Sequence, residues 1–117
     1  MLVCMVMRKT KNDQKKAQLD LGQRLKTLGT FLKDARLSSG LSQNDVSRIL
    51  GLATPQLISN WETGRSSPPM KHIEKLSRIY PMNIEKLFDL MVDYSLSHTE
   101  IQMRDSLGRL AIFRKKS

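Results

Sequence analysis

Three glycines divide the middle of the chain into two short segments, each with helix signals at its ends. Gly40 is expected to end a preceding helix in the left-handed conformation, which glycine adopts without a steric penalty. Ser42 suits the N-cap of a helix over residues 43–50, and Asp45 favours the N-terminus of that helix. Gly51 ends it. The first segment is therefore predicted to be a short, capped helix whose inward positions are Val46, Ile49 and Leu50.

The second segment predicts another short helix, from Thr54 to Thr63. Thr54 is expected to cap it and Pro55 to take its first turn, where the N–H that proline lacks would have no partner in any case. Gly64 ends the helix. The predicted buried face consists of Leu57, Ile58 and Trp61. The remaining polar side chains are uncharged, namely Gln56, Ser59, Asn60 and Thr63.

Two short helices joined by a tight, glycine-containing turn cannot pack antiparallel, so they are expected to cross at a steep angle. One helix can then lie across a phosphate backbone while the other enters the major groove of DNA. Amides suit the second role because Gln and Asn can hydrogen-bond bidentately to the edge of adenine. Lys or Glu would be the commoner choice for a face that is merely solvated. We therefore interpret Gln56 and Asn60 as candidate base-reading residues, with Ser59 beside them.

Apolar spacing predicts further helices around this pair. The first runs over residues 28–38, the fourth over residues 69–80, and Asn83 caps a fifth. The same spacing reaches back to Ala17, which is an alternative start for the first helix, although Gly22 and Gly29 weaken that part. The spacing of Ser97 and a glutamate three residues later resembles a capping box, which predicts a sixth helix over residues 99–110. The sequence shows neither strand alternation nor an internal repeat, so the predicted fold class is all-α.

Basic charge lies mainly at the two ends of the chain. Residues 1–27 carry seven Lys/Arg and two Asp, a net +5, and residues 94–117 carry five and two, a net +3. Residues 28–93 carry eight against seven, a net +1. This distribution indicates a polyanionic partner, most often nucleic acid, although basic tails can also serve solubility alone. The expected units are a flexible basic arm (1–22), a helix-turn-helix DNA-binding domain (23–93) and a helical extension with a basic tail (94–117).

Other classes of protein find little support in the composition. A single cysteine, Cys4, and two distant histidines exclude an internal disulfide and give no metal-ligand spacing. The carboxylates are scattered over different predicted helices, without the cluster that an enzyme site needs. We therefore expect no enzyme activity, no cofactor, no metal and no small-molecule ligand. The apolar opening MLVCMVM is too short to span a membrane and is a poor signal peptide, so the expected compartment is the cytoplasm.

The segment LSQNDVSRILGLATPQLISNWETGR resembles the lambda-repressor-like, or Xre-type, helix-turn-helix family of bacterial and phage regulators. The matching features are Leu41-Ser-Gln43, the aliphatic Ile49-Leu50, Gly51, and Ile58-Ser-Asn-Trp-Glu62 followed by Gly64. The resemblance covers residues 28–91. It implies five helices, with the second and third as the DNA-reading pair. It also implies a sequence-specific regulator of transcription on double-stranded DNA, more often a repressor than an activator.

The resemblance also implies roles for individual residues. Gln43 is expected to hold a phosphate from the start of the second helix. Gln56 and Asn60 match positions that often meet bases or the nearby backbone, and Thr54 lies at the edge of that contact. With the neighbouring basic side chains, the complete set of expected phosphate contacts is Ser42, Gln43, Lys33, Arg65 and Lys71.

Arg36 matches an arginine that, in many members, pairs with the glutamate at the position of Glu62. The sequence departs from the family pattern in two places. Six residues separate Gly51 from Ile58, where five is usual, so the start of the second helix of the pair can shift by one residue. Ser47 stands where alanine is usual, but serine is nearly as small, so the close crossing of the helices is expected to survive.

A unit of this size makes few base contacts. Regulators of this type usually pair, so that two reading helices meet grooves about 34–36 Å apart. We expect a homodimer with residues 94–113 as the dimer element; the alternative is that these residues strap across the protein's own core. A competing interpretation of the whole chain is an antitoxin-like or scaffolding module that uses the same fold to bind another protein.

Overall fold

The computed structural model describes residues 11–116, and the side chains of residues 15–110. Over that range the fold is all-α, as the sequence predicts, and contains no β-strand. The helices are α1 (Lys11–Ser39), α2 (Gln43–Ile49), α3 (Gln56–Thr63), α4 (Met70–Ile79) and α5 (Ile84–Lys116). The first ten residues of the predicted arm, with Cys4, lie outside the described residues.

α1 begins at Lys11, well before the predicted start at residue 28. Residues 11–22, which the sequence assigned to a flexible arm, are thus helical. Just beyond this segment α1 meets α5: Arg24 forms an ion pair with Asp93, and Leu21 is partly buried one turn earlier. Where the chain divides into arm, domain and extension stays a prediction.

α2 begins as its capping residues predict. The N–H of Asp45 donates to the Ser42 hydroxyl at 3.0 Å, and the N–H of Ser42 donates to the Asp45 carboxylate at 2.9 Å, which completes a capping box. The hydrogen bond that the Ser42 N–H donates to the carboxylate is the main cause that holds the pKa of Asp45 below its ordinary value. The helices of the pair are bounded by Gly40, Gly51 and Gly64, which have φ angles of 74°, 73° and 79°. Side chains rarely adopt such angles, so glycine is needed at these ends.

α3 begins later than the sequence indicates. Its N-cap is Pro55 and its first residue is Gln56, so the prediction that Thr54 caps the helix is wrong. The longer turn after Gly51 explains the shift, because the extra residue moves the helix start toward the C-terminus. Thr54 stays beside the helix as an exposed residue whose hydroxyl accepts the Gln56 N–H at 3.4 Å.

α5 is one continuous helix from Ile84 to Lys116, not a fifth helix followed by a separate sixth. No proline or glycine interrupts the sequence before Gly108, and Ser97 is helical instead of capping a new helix. The helix packs antiparallel against α1, since Lys86 lies over the ring of Phe31 while Arg24 reaches Asp93. The predicted C-terminal extension is therefore a prolongation of α5.

The core lies where the helices meet, and every helix contributes a fully buried side chain. The largest of these are Leu28, Leu32, Val46, Ile58, Ile73, Leu76 and Leu87. Ile49, predicted to face inward, is 47% exposed at the end of α2, so that prediction is wrong. Val46 and Leu50 alone supply the apolar contact of α2, because they lie four residues apart on one face.

Candidate nucleic-acid interface

α3 is clamped by its neighbours along one face. Ile58 and Trp61 are buried, at 1% and 3% exposed, with Glu62 buried beside them. Gly29 of α1 lies so close that an added Cβ would be 2.5 Å from the Trp61 carbonyl oxygen. On the other side, the ring of His72 in α4 lies 5.4 Å from the Trp61 ring. α1 and α4 therefore fix the orientation in which α3 presents its opposite face.

The opposite face of α3 carries four polar side chains within an arc of about 100°, since each residue of a helix turns by about 100°. They are Gln56, Ser59, Asn60 and Thr63, all exposed or partly exposed. Leu57, predicted to be buried, is 43% exposed, so that prediction is wrong. The buried stripe follows the i, i+3, i+4 spacing of Ile58, Trp61 and Glu62, which leaves Leu57 to one side. α3 thus offers an apolar contact next to its polar ones.

Two of the candidate base-reading side chains hold each other in place. Gln56 Nε2 donates to Asn60 Oδ1 at 3.0 Å. Gln56 keeps one N–H donor and its carbonyl acceptor, and Asn60 keeps its amide donors. The hydroxyl of Thr63 is instead engaged by the backbone, because it donates to the Ser59 carbonyl at 2.8 Å. The free donor and acceptor of Gln56 are the pair that complements N7 and N6 of adenine.

The carboxylate of Glu62 joins α1, α2 and α3. Arg36 Nε donates to Glu62 Oε2 at 2.7 Å, and Arg36 Nη2 donates to Oε1 at 3.1 Å, so the expected ion pair is present, bidentate and buried. The hydrogen bond to Glu62 raises the pKa of Arg36 above its usual value. A third guanidinium nitrogen, Nη1, donates to the Leu41 carbonyl at 2.9 Å. The pair thereby fastens the turn before α2 to the other two helices.

Gln43 belongs to the same network. Its Nε2 donates to Glu62 Oε1 at 3.1 Å, and its side chain is partly buried. One amide hydrogen and the carbonyl oxygen remain free to bond elsewhere. Ser42 is exposed next to it, but its hydroxyl already accepts the Asp45 N–H. Of the two, Gln43 is the side chain that a contact with another helix holds in position while it keeps a free amide hydrogen.

The expected basic contacts are exposed, and each lies next to a residue that touches α3. Lys33 follows Gly29 by one turn of α1. Arg65 comes directly after α3, where its backbone N–H donates to the Asn60 carbonyl at 2.9 Å. Lys71 precedes His72, which packs on Trp61. The three exposed cations thus come from three different segments, and Arg65 is the one that a hydrogen bond joins directly to α3.

Lys26 is a further cation near α3 that the sequence did not single out. An added Cβ on Gly64, at the end of α3, would lie 2.8 Å from Lys26 Cγ and 3.0 Å from its Cα. The signal in the sequence was the glycine itself, because a glycine marks a place where two backbones can approach closely. Gly29 carries the same signal, although it was interpreted only as a residue that weakens α1.

The described part of the chain shows no group of three His, Cys, Asp or Glu side chains that could hold a metal ion. Among the helices between residues 11 and 116, none combines the length and the apolar character that crossing a bilayer requires.

A comparison with protein-family models matches residues 32–87 to a helix-turn-helix model. Searches of curated proteins and of solved structures returned no match. The matched segment runs from the second half of α1 to the start of α5, so it contains the network around Glu62 and the polar face of α3, while Gly29 lies just before it. Members of this family are DNA-binding regulatory domains. Residues 32–87 therefore belong to the lambda-repressor-like helix-turn-helix family, and α2 and α3 are its helix-turn-helix pair.

Proposed function

We propose that the protein is a transcriptional regulator that binds specific sequences of double-stranded DNA through α3, and that it acts as a repressor. The observation that carries this proposal is the geometry of α3: a polar, uncharged face points outward while the opposite face is locked into the core. Such a helix can enter the major groove without giving up its packing. A DNA site occupied in this way is closed to other proteins, so repression needs no contact beyond the interface itself.

Base reading falls to the N-terminal half of α3. Gln56 presents one donor and one acceptor toward adenine, and its hydrogen bond to Asn60 limits the rotamers of both side chains. Leu57 offers an apolar contact of the kind that suits the methyl group of thymine. Ser59 and Thr54 complete the candidate base contacts.

Phosphate binding falls to the residues around α3. Gln43 would hold one phosphate with the amide hydrogen that Glu62 leaves free. The cations that would approach the backbone on either side of the groove are Lys33, Arg65, Lys71 and Lys26. Contacts of this kind position the protein but read no sequence, so they should act on all DNA alike.

We also propose that the regulator works as a homodimer, since one short helix reads only a few bases. Two copies related by a twofold axis would meet two half-sites about 34–36 Å apart. Residues 94–113 remain the proposed dimer element. Such a regulator would act on the nucleoid in the cytoplasm of a bacterial or phage-infected cell.

Selection from random duplex DNA tests the proposal directly. The full chain should enrich one motif, and a dimer should enrich that motif as an inverted repeat with half-sites centred one helical turn apart. Enrichment of no motif, with equal retention of all duplexes, would contradict sequence-specific binding. Enrichment of an isolated half-site would contradict the dimer alone.

Two glutamine variants separate base reading from phosphate binding on the selected site. Gln56→Ala should weaken binding by about 1–3 kcal/mol and relax preference at one base position, while Gln43→Ala should weaken binding to all sequences alike. Gln18→Ala is the matched control, because Gln18 is exposed on α1, outside α3 and outside the proposed dimer element. Fluorescence anisotropy on the selected site and on single-base variants provides the measurement. Equal losses for both variants on every duplex would show that α3 is not the reading helix.

A further inference from the structure

α5 has two apolar faces, of which only one is packed. The inner face includes Leu87, Met91 and Tyr94, which pack against the core. On the other side five apolar side chains are between 47% and 67% exposed. We call them the outer stripe: Val92, Leu96, Met103, Leu107 and Leu110. At about 100° per residue they share an arc of about 60°, roughly opposite the inner face.

The spacing of the outer stripe is that of a helix–helix contact. Its members are separated by four, seven, four and three residues, as in the seams along which helices pack side by side. An apolar strip of this length, with one gap at Thr99, is unusual on the surface of a monomer. Within the described residues no other helix lies on it, since α1 is packed on the inner face.

The charge distribution along α5 indicates which partner fits the outer stripe. Residues 84–100 carry four carboxylates and one lysine, a net −3, whereas residues 101–116 carry five Lys/Arg and one Asp, a net +4. A second copy of α5 laid antiparallel would bring the negative half of each helix against the positive half of the other. A parallel copy would place like charges side by side. The helix dipoles also favour the antiparallel arrangement.

We infer that the outer stripe is the surface on which two copies of this chain pair, with their α5 helices antiparallel. The contact is the same on both copies, as a twofold axis requires. The pairing itself does not depend on DNA binding. The inference rests on the proposed function only for its role, which is to supply the dimer that occupies two half-sites. Because α1 packs on the inner side of each α5, the two α5 helices would form the centre of a four-helix layer. One α3 would be attached to each half through its contact with α1.

Sedimentation equilibrium of the full chain without DNA tests the pairing. The wild-type chain should be a dimer, and the double variant Leu96→Asp, Met103→Asp should raise the dissociation constant at least 100-fold. Leu37→Asp is the matched control, because Leu37 is 58% exposed on α1, outside the stripe. Far-UV circular dichroism of each variant checks that the fold is intact. A dimer that persists in the folded double variant overturns the inference.

The chain's own apolar opening, residues 1–7, is the other candidate occupant of the stripe. A variant lacking residues 2–10 distinguishes the two. A monomeric wild type that becomes a dimer on this deletion would show that the opening covers the stripe, and a monomer in both forms would show that the stripe pairs with nothing. Either result overturns the inference.

Spin-label distances test the orientation. In a Cys4→Ser background, labels at Phe88→Cys and at Ser106→Cys, both exposed on α5 outside the outer stripe, give two distances between identical sites of a dimer. For antiparallel helices these distances should sum to at least about 54 Å in any register, since 18 residues span about 27 Å in each copy. Parallel helices would give a sum of about 20 Å, which overturns the antiparallel arrangement.

DNA binding by the monomeric double variant keeps this inference separate from the proposed function. It should retain binding to an isolated half-site at high protein concentration, because α3 is untouched. A wild-type dimer that binds no duplex would contradict the proposed function and leave the pairing intact. A wild-type monomer that selects a sequence would do the reverse.

Discussion

At the scale of single residues, the Glu62 carboxylate is the group that links the three helices around the candidate interface, although it does not itself face DNA. It accepts two hydrogen bonds from Arg36 and one from Gln43. Glu62→Ala should lower the free energy of unfolding by about 3–5 kcal/mol, because it leaves the buried guanidinium without a compensating negative charge. Urea unfolding gives the measurement. Glu74→Ala, an exposed glutamate on α4, should change it by less than about 0.5 kcal/mol; comparable losses in both variants would contradict the role of the buried pair.

His72 makes the stability of the domain depend on pH. Burial and the neighbouring Lys71 and Lys75 lower the pKa of this imidazole, and its Nδ1 has no hydrogen-bond partner. The unfolded chain, with a histidine pKa of about 6.5, then takes up the proton more readily than the folded chain. The contribution of His72 to stability is therefore complete above about pH 6.5 and is lost as the pH falls toward its folded pKa.

The unfolding temperature measured between about pH 5 and pH 8, a range that brackets the ordinary pKa of histidine, tests this dependence. The wild type should lose stability toward the acid end, and His72→Leu should show a smaller loss over the same range. Identical slopes for the two proteins would mean that other groups set the acid sensitivity.

At the scale of helices, two glycines of α1 make opposite predictions. Gly29→Ala should destabilise the protein by about 1–3 kcal/mol, because the new Cβ would meet the carbonyl oxygens of Trp61 and Glu62 at 2.5 and 2.6 Å. Gly22→Ala is the matched control, since nothing lies within 4 Å of its Cβ position. That variant should stabilise by about 0.5–1 kcal/mol through helix propensity. Chemical denaturation gives the free energy of unfolding of both variants. A higher value for Gly29→Ala than for the wild type would show that α1 and α3 can move apart without loss of stability.

The short helices could be predicted from sequence because local chemistry sets their ends. Ser42 and Asp45 form the capping box, and Gly51 turns the chain, so α2 lies where expected. The extents of the long helices could not, because α1 and α5 pack against each other through residues far apart in sequence, such as Arg24 and Asp93, which are 69 positions apart. No local pattern records such a contact.

The candidate site, too, has features that the sequence predicts and features that it does not. The outward position of Gln56 and Asn60 follows from helical periodicity, and the family pattern gives the pair of Arg36 and Glu62. The hydrogen bond from Gln43 to Glu62 and the nearness of Lys26 to the end of α3 depend on how helices cross. Crossing geometry depends on tertiary packing, which the sequence shows only indirectly through Gly29 and Gly64.

At the scale of the whole molecule, the net charge of +9 predicts that binding to DNA weakens steeply with salt. Each phosphate contact contributes about 0.9 to the slope of the logarithm of affinity against the logarithm of salt concentration. Total charge cannot say which cations matter, but position can. Lys33 lies one turn from the contact of α1 with α3, whereas Lys86 lies over Phe31 between α1 and α5.

Lys33→Gln should therefore reduce the slope by about 0.9, and Lys86→Gln should leave it unchanged, although both remove one positive charge. Anisotropy titrations from about 50 to 200 mM KCl measure the slopes over the range in which released counterions dominate affinity. Equal reductions would mean that the protein attracts DNA through its overall charge, with no defined docking face. A loss confined to Lys33→Gln would place the phosphate backbone along the side of α1 that meets α3, which is where a helix seated in the major groove requires it.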